Sequence, residues 1–571
     1  MPEQPTELPI TLLYWLAAST PILVLLVLLV WRRWSSSSAA PVALAAAVLV
    51  ALLLFRTPFE TLAAASGKGI WDSIFVLYVI WPALILYNVA DDAEAFVAMQ
   101  RGVRRLMPDR LLVVLAFGWV LSSFIQSIAG FGTPLAVTTP LLIGLGVQPV
   151  YAVVLPIIGA AWANAFGSLG ATWLATLSVV SLPNEALTLR YAASLLWIPN
   201  LLGGLAVAWM YGRWWAIRRG GPAILVISLI HSGLLFWLLP HLPTVACFLA
   251  TSAALLVTFV LNRWAFYRQH DENEPDLIFT EEAKEAARRE HEEEHRREGT
   301  RQRRGQRQGR RRGGRNRQPE GERMPMPLWL AFAPYIILGL LAVIALVIPP
   351  VNAYLERVQI GLPFPATTTG YGVGQEATEA YAAFAPLTHP GTLLLISAVV
   401  GYLLYSRRGL YPAGKGVGGI LSDAAREALP ATTAIAGLIL ISKVMDHSGE
   451  ITVLALGIAA IAPSTLYVAL SPWIGILGSF ITSSNTASNV LFAPLQATAA
   501  QAEGIATELA IAGQTVGGST GNAIAPGDAL LGATVAGIAG SLGAILQRAI
   551  VWTLVCGLFL SLAALGLYLL L

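Results

Sequence analysis

Two stretches of small, uncharged, polar residues carry the chemistry this chain can do. The first holds Ser122, Ser123, Gln126, Ser127, Gly130, Gly132, Thr133 and Pro134; the second holds Gly478, Ser479, Thr482, Ser483, Ser484, Asn485, Thr486, Ser488 and Asn489. Each is followed by a further cluster, Asn164 to Gly170 with Gly167 and Ser168, and Gly517 to Asn522 with Ser519, Thr520 and Gly521. Their hydroxyls and amides both donate and accept hydrogen bonds. Where such a cluster interrupts a helix, one half-helix offers free N–H groups that suit a carboxylate, and the other offers free carbonyls that suit a cation. A neutral, oxygen-rich cage of this kind fits sodium, with Ser127, Ser483, Ser484 and Thr486 as oxygen donors. The mixed donor and acceptor set fits a small hydroxy acid. Asp528, just after Pro526-Gly527, is the acidic side chain nearest a break and the candidate for a titrating coupling site. Small-residue clusters also let helices pack closely, which would suffice for any one of them; four breaks in paired positions favour a binding site.

The surroundings of these clusters decide what they are. Of the 571 residues 56% are hydrophobic and only 12% charged, and the mean hydropathy is +0.65. Apolar runs of about 20 residues recur along the chain without period-two alternation, which predicts a polytopic all-α membrane protein and excludes a β-barrel. Residues 9–31 are flanked by Glu3 and Glu7 before and Arg32-Arg33 after, the reverse of a cleavable signal. Arginines at 32–33, 213–219, 407–408 and 548 mark cytoplasmic ends and place both termini outside. The parity works if residues 111–146 form a re-entrant hairpin rather than a crossing; residues 150–180 then read as a broken helix. A second hairpin is predicted at 465–500 and a second broken helix at 505–540. Cys247 and Cys556 lie inside apolar runs and read as packing residues.

Residues 266–326 hold about 30 charged residues, Glu-rich at first and then Arg-rich, and predict a disordered cytoplasmic loop with no nucleic-acid partner expected. Residues 349–388, rich in Pro, Thr and Gly, read as an external loop. Asp91, Asp446 and His447 fall at span ends as interfacial anchors, and Lys443 is placed to snorkel. Trp162 and Trp173 flank the first broken run as packing residues.

At an offset of about 355 the two halves match on punctuation: Asp91 with Asp446, Pro108 with Pro463, Ser123-Phe124-Ile125 with Ser479-Phe480-Ile481, and Asn164 close to Thr520. The division is a first repeat at 1–219, a central helix pair at 220–265, the charged loop, and a second repeat at 327–571, with about 12 crossings plus two hairpins. The first half starts outside and the second inside, so the repeats have inverted topology, the construction of secondary transporters. No phosphate-cradling GxxxxGK[ST] loop occurs in the sequence, which argues against a primary pump, and no Ser/His pair sits at a shared depth, which argues against an intramembrane enzyme. No cofactor is expected; sodium or a proton is the coupling ion.

The sequence resembles the lactate permease family, which imports lactate and glycolate across bacterial inner membranes. The resemblance rests on Ala129-Gly130-Phe131-Gly132-Thr133-Pro134, residues 142–152, Ser488-Asn489-Val490-Leu491-Phe492, residues 495–501 and Gly517-Gly518-Ser519-Thr520-Gly521. It implies a secondary transporter of a small organic anion in the inner membrane, with hairpin tips that hold substrate and ion and an elevator-like movement of one domain. Gln126 stands where members usually carry Glu, Asn485 where they carry Asp, and Asn522 where they carry Lys. Those changes remove charge from the site and favour sodium coupling or a different small carboxylate. A sodium/proton antiporter of the wider ion-transporter group is the alternative, and a homodimer is among the assemblies open to the chain.

Overall fold

The computed structural model describes residues 8–32, 34–106, 109–130, 132–268, 275, 277–282, 326–412, 414–460 and 463–570. Hydrocarbon offers the backbone no hydrogen bonds, so the apolar runs close their own as helices. Among the described residues nine helices are long and apolar enough to span a membrane, or eleven if two bent pairs each count as one span. This differs from the twelve expected, and the difference lies in how passes are joined. Glu185–Leu238 is a single 54-residue helix broken by non-helical backbone at Gly212 and Arg213. At about 80 Å it is long enough to hold both passes expected at 191–212 and 222–240. Ala246–Leu261, with 16 residues, is about 24 Å long and falls just short of a full span.

The helices pack as two groups. Leu12–Leu26, Ser36–Leu53, Phe59–Asp91, Pro390–Arg407 and Val417–Ser448 are joined to one another through Ser36–Leu53, Phe59–Asp91 and Val417–Ser448, and Glu450–Ala459 packs between this group and Asn485–Ala502. The polar clusters lie in the other group, which contains two helical hairpins and two broken helices. The first hairpin pairs Arg110–Ile128 with Thr133–Gly144. Asp109 caps its first arm by accepting from the Leu112 N–H at 2.9 Å, and the same carboxylate pairs with Arg219 at 2.9 Å. The arm widens to π geometry at Ala116–Leu121, where the Ser122 hydroxyl donates to the Phe117 carbonyl at 2.6 Å. Extended backbone at Ala129 and left-handed Gly132 (φ 84) make the turn. Ser122 and Thr138, eight residues either side of Gly130, then meet at 3.4 Å, as two arms folded back on one another must.

The second hairpin pairs Ser464–Thr482 with Asn485–Ala502. Ser483 takes left-handed backbone (φ 55) and Ser484 caps the second arm by accepting from the Ala487 N–H at 3.3 Å. The Gln496 amide ties the arms together by donating to the Ser471 carbonyl at 2.9 Å. Each hairpin packs backbone to backbone on its neighbouring broken helix. A Cβ on Gly159 would lie 2.0 Å from the Gly118 carbonyl oxygen, and one on Gly517 would lie 2.0 Å from that of Pro472. Only residues without side chains allow so close an approach.

Two expectations change. The chain is not purely α: residues 349–388 form a short helix, Pro349–Leu355, and two antiparallel strand pairs. Ile360–Phe364 pairs with Thr378–Phe384, and Thr367–Thr368 pairs with Gly374–Gln375. The ribbon lies along Phe59–Asp91, where the Trp71 indole donates to the Ala382 carbonyl at 3.4 Å, and its aromatic side chains supply the cross-strand packing that makes strands stable. Most of the expected disordered loop at 266–326, together with Phe131 of the first tip, lies outside the described residues. Within that loop residues 277–280 are ordered: the Gln148 N–H donates to the Ile278 carbonyl at 2.7 Å, and the Ile278 and Phe279 side chains are buried.

Candidate functional site

The four breaks meet. In the first broken helix Pro149–Ala161 gives way to a 3-10 turn, Trp162–Ala165, and Ser168, Leu169 and Gly170 all take left-handed backbone before the helix resumes, a bend of 48°. In the second, Thr507–Gly521 ends in a 3-10 turn at Asn522–Ile524, and Pro526–Val535 follows. Gly517 to Gly521 are thus helical rather than broken, and the interruption falls at residues 522–525. Ser519 links the two: its hydroxyl donates to the Ala161 carbonyl at 2.6 Å and accepts from the Ala165 N–H at 3.0 Å. One side chain of the second half therefore satisfies backbone groups that the first break frees.

Each tip rests on a break. At the first, the Ser168 hydroxyl accepts from the Gly130 N–H at 2.8 Å, and the Gln126 amide donates to Asn164 Oδ1. The left-handed Gly132 faces the far side, where a Cβ would come within 4.0 Å of Asp528 Oδ1. At the second tip, the Ser483 hydroxyl accepts from the Gly527 N–H at 3.1 Å. Both tips therefore border Pro526–Val535, the first against Leu531 and the second at Gly527. The Asn522 amide donates to Asp528 Oδ2 at 2.6 Å, and both residues are half-buried. The second hairpin also crosses to the first broken helix: Thr486 and Thr172 hydroxyls meet at 2.8 Å, and the Asn489 amide donates to Thr176 at 2.9 Å and to Thr515 at 3.1 Å.

Exposure divides the residues named from the sequence. Asn164, Ser483, Ser484, Asn522 and Asp528 are half-buried. Gln126, Thr133, Ser168, Asn485 and Thr486 are buried but lie at the tips and breaks. Ser127, Ser488, Asn489 and Thr520 are fully buried with hydrogen bonds to protein; Thr520, for example, donates to the Val516 carbonyl of its own helix at 2.9 Å. Gly167 and Gly521 mark close backbone contacts with Gln126 and Ile476. Two buried oxygens of the site, Asn485 Oδ1 and Ser479 Oγ, have no hydrogen-bond partner among the described residues, and both face Gly518, whose Cβ would lie 2.1 Å and 3.2 Å from them. This patch can accept a cation without adding charge.

A family model described as L-lactate permease matches residues 15–571. The chain belongs to the L-lactate permease family. Curated relatives of this permease include the L-lactate permease of Salmonella typhimurium, 26% identical over 515 residues that cover 86% of this chain and 84% of the relative. The glycolate permease of Escherichia coli is 26% identical with the same two coverages. Among solved structures, the Alcanivorax borkumensis YdaH transporter aligns over 89% of this chain and 87% of that one, at 14% identity and a TM-score of 0.44. The permease is an integral membrane transporter and not an enzyme.

Several residues of the site were not singled out from the sequence. Thr172 and Thr176 are one turn apart and so share a helix face, a spacing that could have marked them. Gln514, which donates to the Ser488 carbonyl at 3.4 Å and to Ser488 Oγ at 3.1 Å and accepts from Gln496 at 2.7 Å, is a buried amide in an apolar run, a signal of the same kind. The assignment of Lys443 as a snorkelling residue is overturned: it is buried and paired with Asp72 at 3.1 Å. Asp72 escaped notice because it lies within a run taken as plain span.

Proposed function

We propose that this permease imports lactate, glycolate or a related small 2-hydroxy monocarboxylate, in symport with a cation, across the bacterial inner membrane. The observation that carries the reading is the chain of hydrogen bonds that joins the first tip to the first break, the first break to the second broken helix, and the second break to the second tip. Gln126, Gly130, Gly132, Thr133, Asn164, Ser168, Ser484 and Asn522 border the substrate in this reading; Ser488, Asn489, Thr520 and the glycines hold the tips in place. The oxygens of Asn485 and Ser479, with those of Ser483, Ser484 and Thr486 at the second tip, hold the coupling cation. With Gln126, Asn485 and Asn522 neutral, sodium is the ion the site suits best.

The matching close approaches of Gly159 and Gly517 support two repeats of inverted topology with twelve crossings and re-entrant hairpins. In this arrangement the group carrying the hairpins moves against the other, the ribbon faces outside, both termini lie outside, and residues 266–326 face the cytoplasm. Uptake of labelled lactate and glycolate by proteoliposomes, under imposed sodium or pH gradients, tests it. Accumulation should require an inward sodium gradient; a protein that takes up no monocarboxylate under any gradient would refute the reading. The half-buried carboxylate of Asp528 favours a second reading, sodium/proton antiport, in which sodium drives proton movement with no carboxylate present.

A further inference from the structure

Away from the hairpin tips, an apolar groove of about 450 Å³ lies between Ala246–Leu261 and the run formed by Leu328–Ala331 and Ala333–Ala342. Each wall is one helix face. Phe248, Ser252 and Phe259 line one side, and Leu328, Phe332 and Gly339 the other, at intervals of four and seven residues. Phe124 of the first hairpin forms the floor, its ring centroid 5.9 Å from that of Phe248 and 6.1 Å from that of Phe332. Gly339 closes one end, where a Cβ would meet the Phe248 ring at 3.4 Å. The groove opens sideways: Leu256 and Ile336 on its rims are 67% and 53% exposed, where the apolar surface faces hydrocarbon. The Ser252 hydroxyl spends its hydrogen bond on the Phe248 carbonyl at 2.7 Å. A hydroxy acid would thus be poorly satisfied along these walls, whereas a hydrocarbon chain needs no polar partner.

Length and charge select the occupant. From Phe259 to Phe248, and from Leu328 to Gly339, each wall runs for about 17 Å, against about 15 Å of hydrocarbon in one leaflet. The Phe259 and Leu328 ends lie where the chain enters and leaves residues 266–326, the cytoplasmic side in the reading above. That end is basic. The Arg408 guanidinium lies 5.3 Å from the ring of Trp329, and Arg263, one turn beyond Phe259, is exposed. Ala95–Leu106 packs on Leu328, where a Cβ on Gly102 would lie 2.7 Å from its side chain, and the neighbouring Arg101 is exposed. Among the described residues none of these three arginines forms an ion pair. An apolar slot one leaflet deep below a set of arginines complements the acyl chain and the phosphate of an anionic phospholipid. The groove also lies in the seam between the two helix groups. Its Leu328 wall is held by Pro390–Arg407, through the Ser397 hydroxyl donating to the Pro334 carbonyl at 2.5 Å and that of Tyr405 donating to the Ala331 carbonyl at 3.1 Å. Its floor and its other wall belong to the hairpin group.

We propose that this groove holds one acyl chain of an anionic phospholipid of the cytoplasmic leaflet, with the lipid phosphate on Arg408 and with Arg101 and Arg263 around it. The chain fills the seam and packs against Phe124 of the first hairpin. Only the choice of leaflet depends on the orientation given above; occupancy does not depend on what is transported. Full-length protein is purified as wild type, Ser252→Trp and Arg408→Gln, and mass spectrometry of the intact protein measures retained phosphatidylglycerol and phosphatidylcholine of identical chains. A phosphatidylglycerol with a photoreactive diazirine in mid-chain locates the lipid. Wild type should retain phosphatidylglycerol in preference to phosphatidylcholine, with the label on residues 248–259 or 328–339. Ser252→Trp puts an indole in the groove and should lose the label there. Arg408→Gln should lower phosphatidylglycerol retention about fivefold while leaving phosphatidylcholine unchanged, and its melting temperature without lipid should match wild type. Labelling of the groove that is the same in Ser252→Trp as in wild type overturns the proposal, as does equal retention of the two lipids by wild type. Cross-links through groove residues between two copies of the chain, with the label elsewhere, would make this face a dimer contact and overturn it as well. If Ser252→Trp fails to fold, unchanged phosphatidylglycerol retention in Arg408→Gln overturns it.

Discussion

The hydroxyl of Ser519 donates to the carbonyl of Ala161 at 2.6 Å, joining residues 358 apart in the chain where the first broken helix is interrupted. The same oxygen accepts from the Ala165 N–H, so one side chain serves both ends of the first break. Ser519→Ala leaves buried backbone groups without partners. The expected cost is about 1–3 kcal/mol, with transport reduced, because an unpaired buried polar group retains its full desolvation penalty. Thermal melting followed by size-exclusion chromatography measures it, and a melting temperature equal to wild type would show the bridge to be dispensable.

Gly159 and Gly221 should respond in opposite ways. A Cβ on Gly159 meets the Gly118 carbonyl oxygen at 2.0 Å, whereas one on Gly221 finds nothing within 4 Å. Gly159→Ala must therefore push the hairpin arm off the broken helix, and loss of folded protein is the expected outcome. Gly221→Ala, inside a helix, should be neutral or stabilising by up to about 1 kcal/mol. Yield and melting temperature of the two variants decide the matter.

Asp528 is a half-buried carboxylate at the second break, held by the Asn522 amide at 2.6 Å. Asp528→Asn removes its charge and should abolish gradient-driven uptake while leaving exchange of substrate across the membrane at a measurable rate. Gln126→Glu puts a carboxylate beside Asn164 and should make uptake depend on pH. Counterflow and gradient-driven uptake, measured side by side, separate the outcomes; full coupling in Asp528→Asn would move the ion site elsewhere.

His389 precedes the Pro390–Arg407 span and caps it, its Nδ1 accepting from the Gly391 N–H at 3.2 Å while the ring stacks on Tyr78 at 5.0 Å. Burial lowers its pKa from 6.5 to about 4. The unfolded chain therefore binds a proton that the folded chain refuses. The stabilisation is complete above pH 6.5 and is lost as pH falls toward 4, by at most about 3 kcal/mol. His389→Asn keeps a capping acceptor without the titration, so its melting temperature should fall less between pH 7 and pH 4.5 than that of the wild type.

The breaks were legible in the sequence because Gly, Ser and Asn interrupt runs that are otherwise continuously apolar, and the hairpin limits were legible within a few residues. The second break was placed a few residues early. Gly517 and Gly521 read as interruption, yet they are helical and bring the backbone against Pro472 and Ile476. Small residues serve both purposes, and composition does not separate them. Lys443 read as a snorkelling residue for a related reason. It stands near the margin of an apolar run, where lysines ordinarily reach water, and the ribbon folding over it buries it.

What the sequence determined by itself is the class of protein and the positions where its helices fail, because hydrocarbon penalises any polar backbone group left unpaired and so makes each interruption conspicuous. What the tertiary structure alone decided is which interruptions meet. The four clusters carry nearly the same hydroxyls and amides, so their types cannot distinguish Ser519, which bridges to Ala165, from Thr520, which bonds back to its own helix. Adjacent residues on a helix point about 100° apart, and packing determines which of the two faces the other half of the molecule.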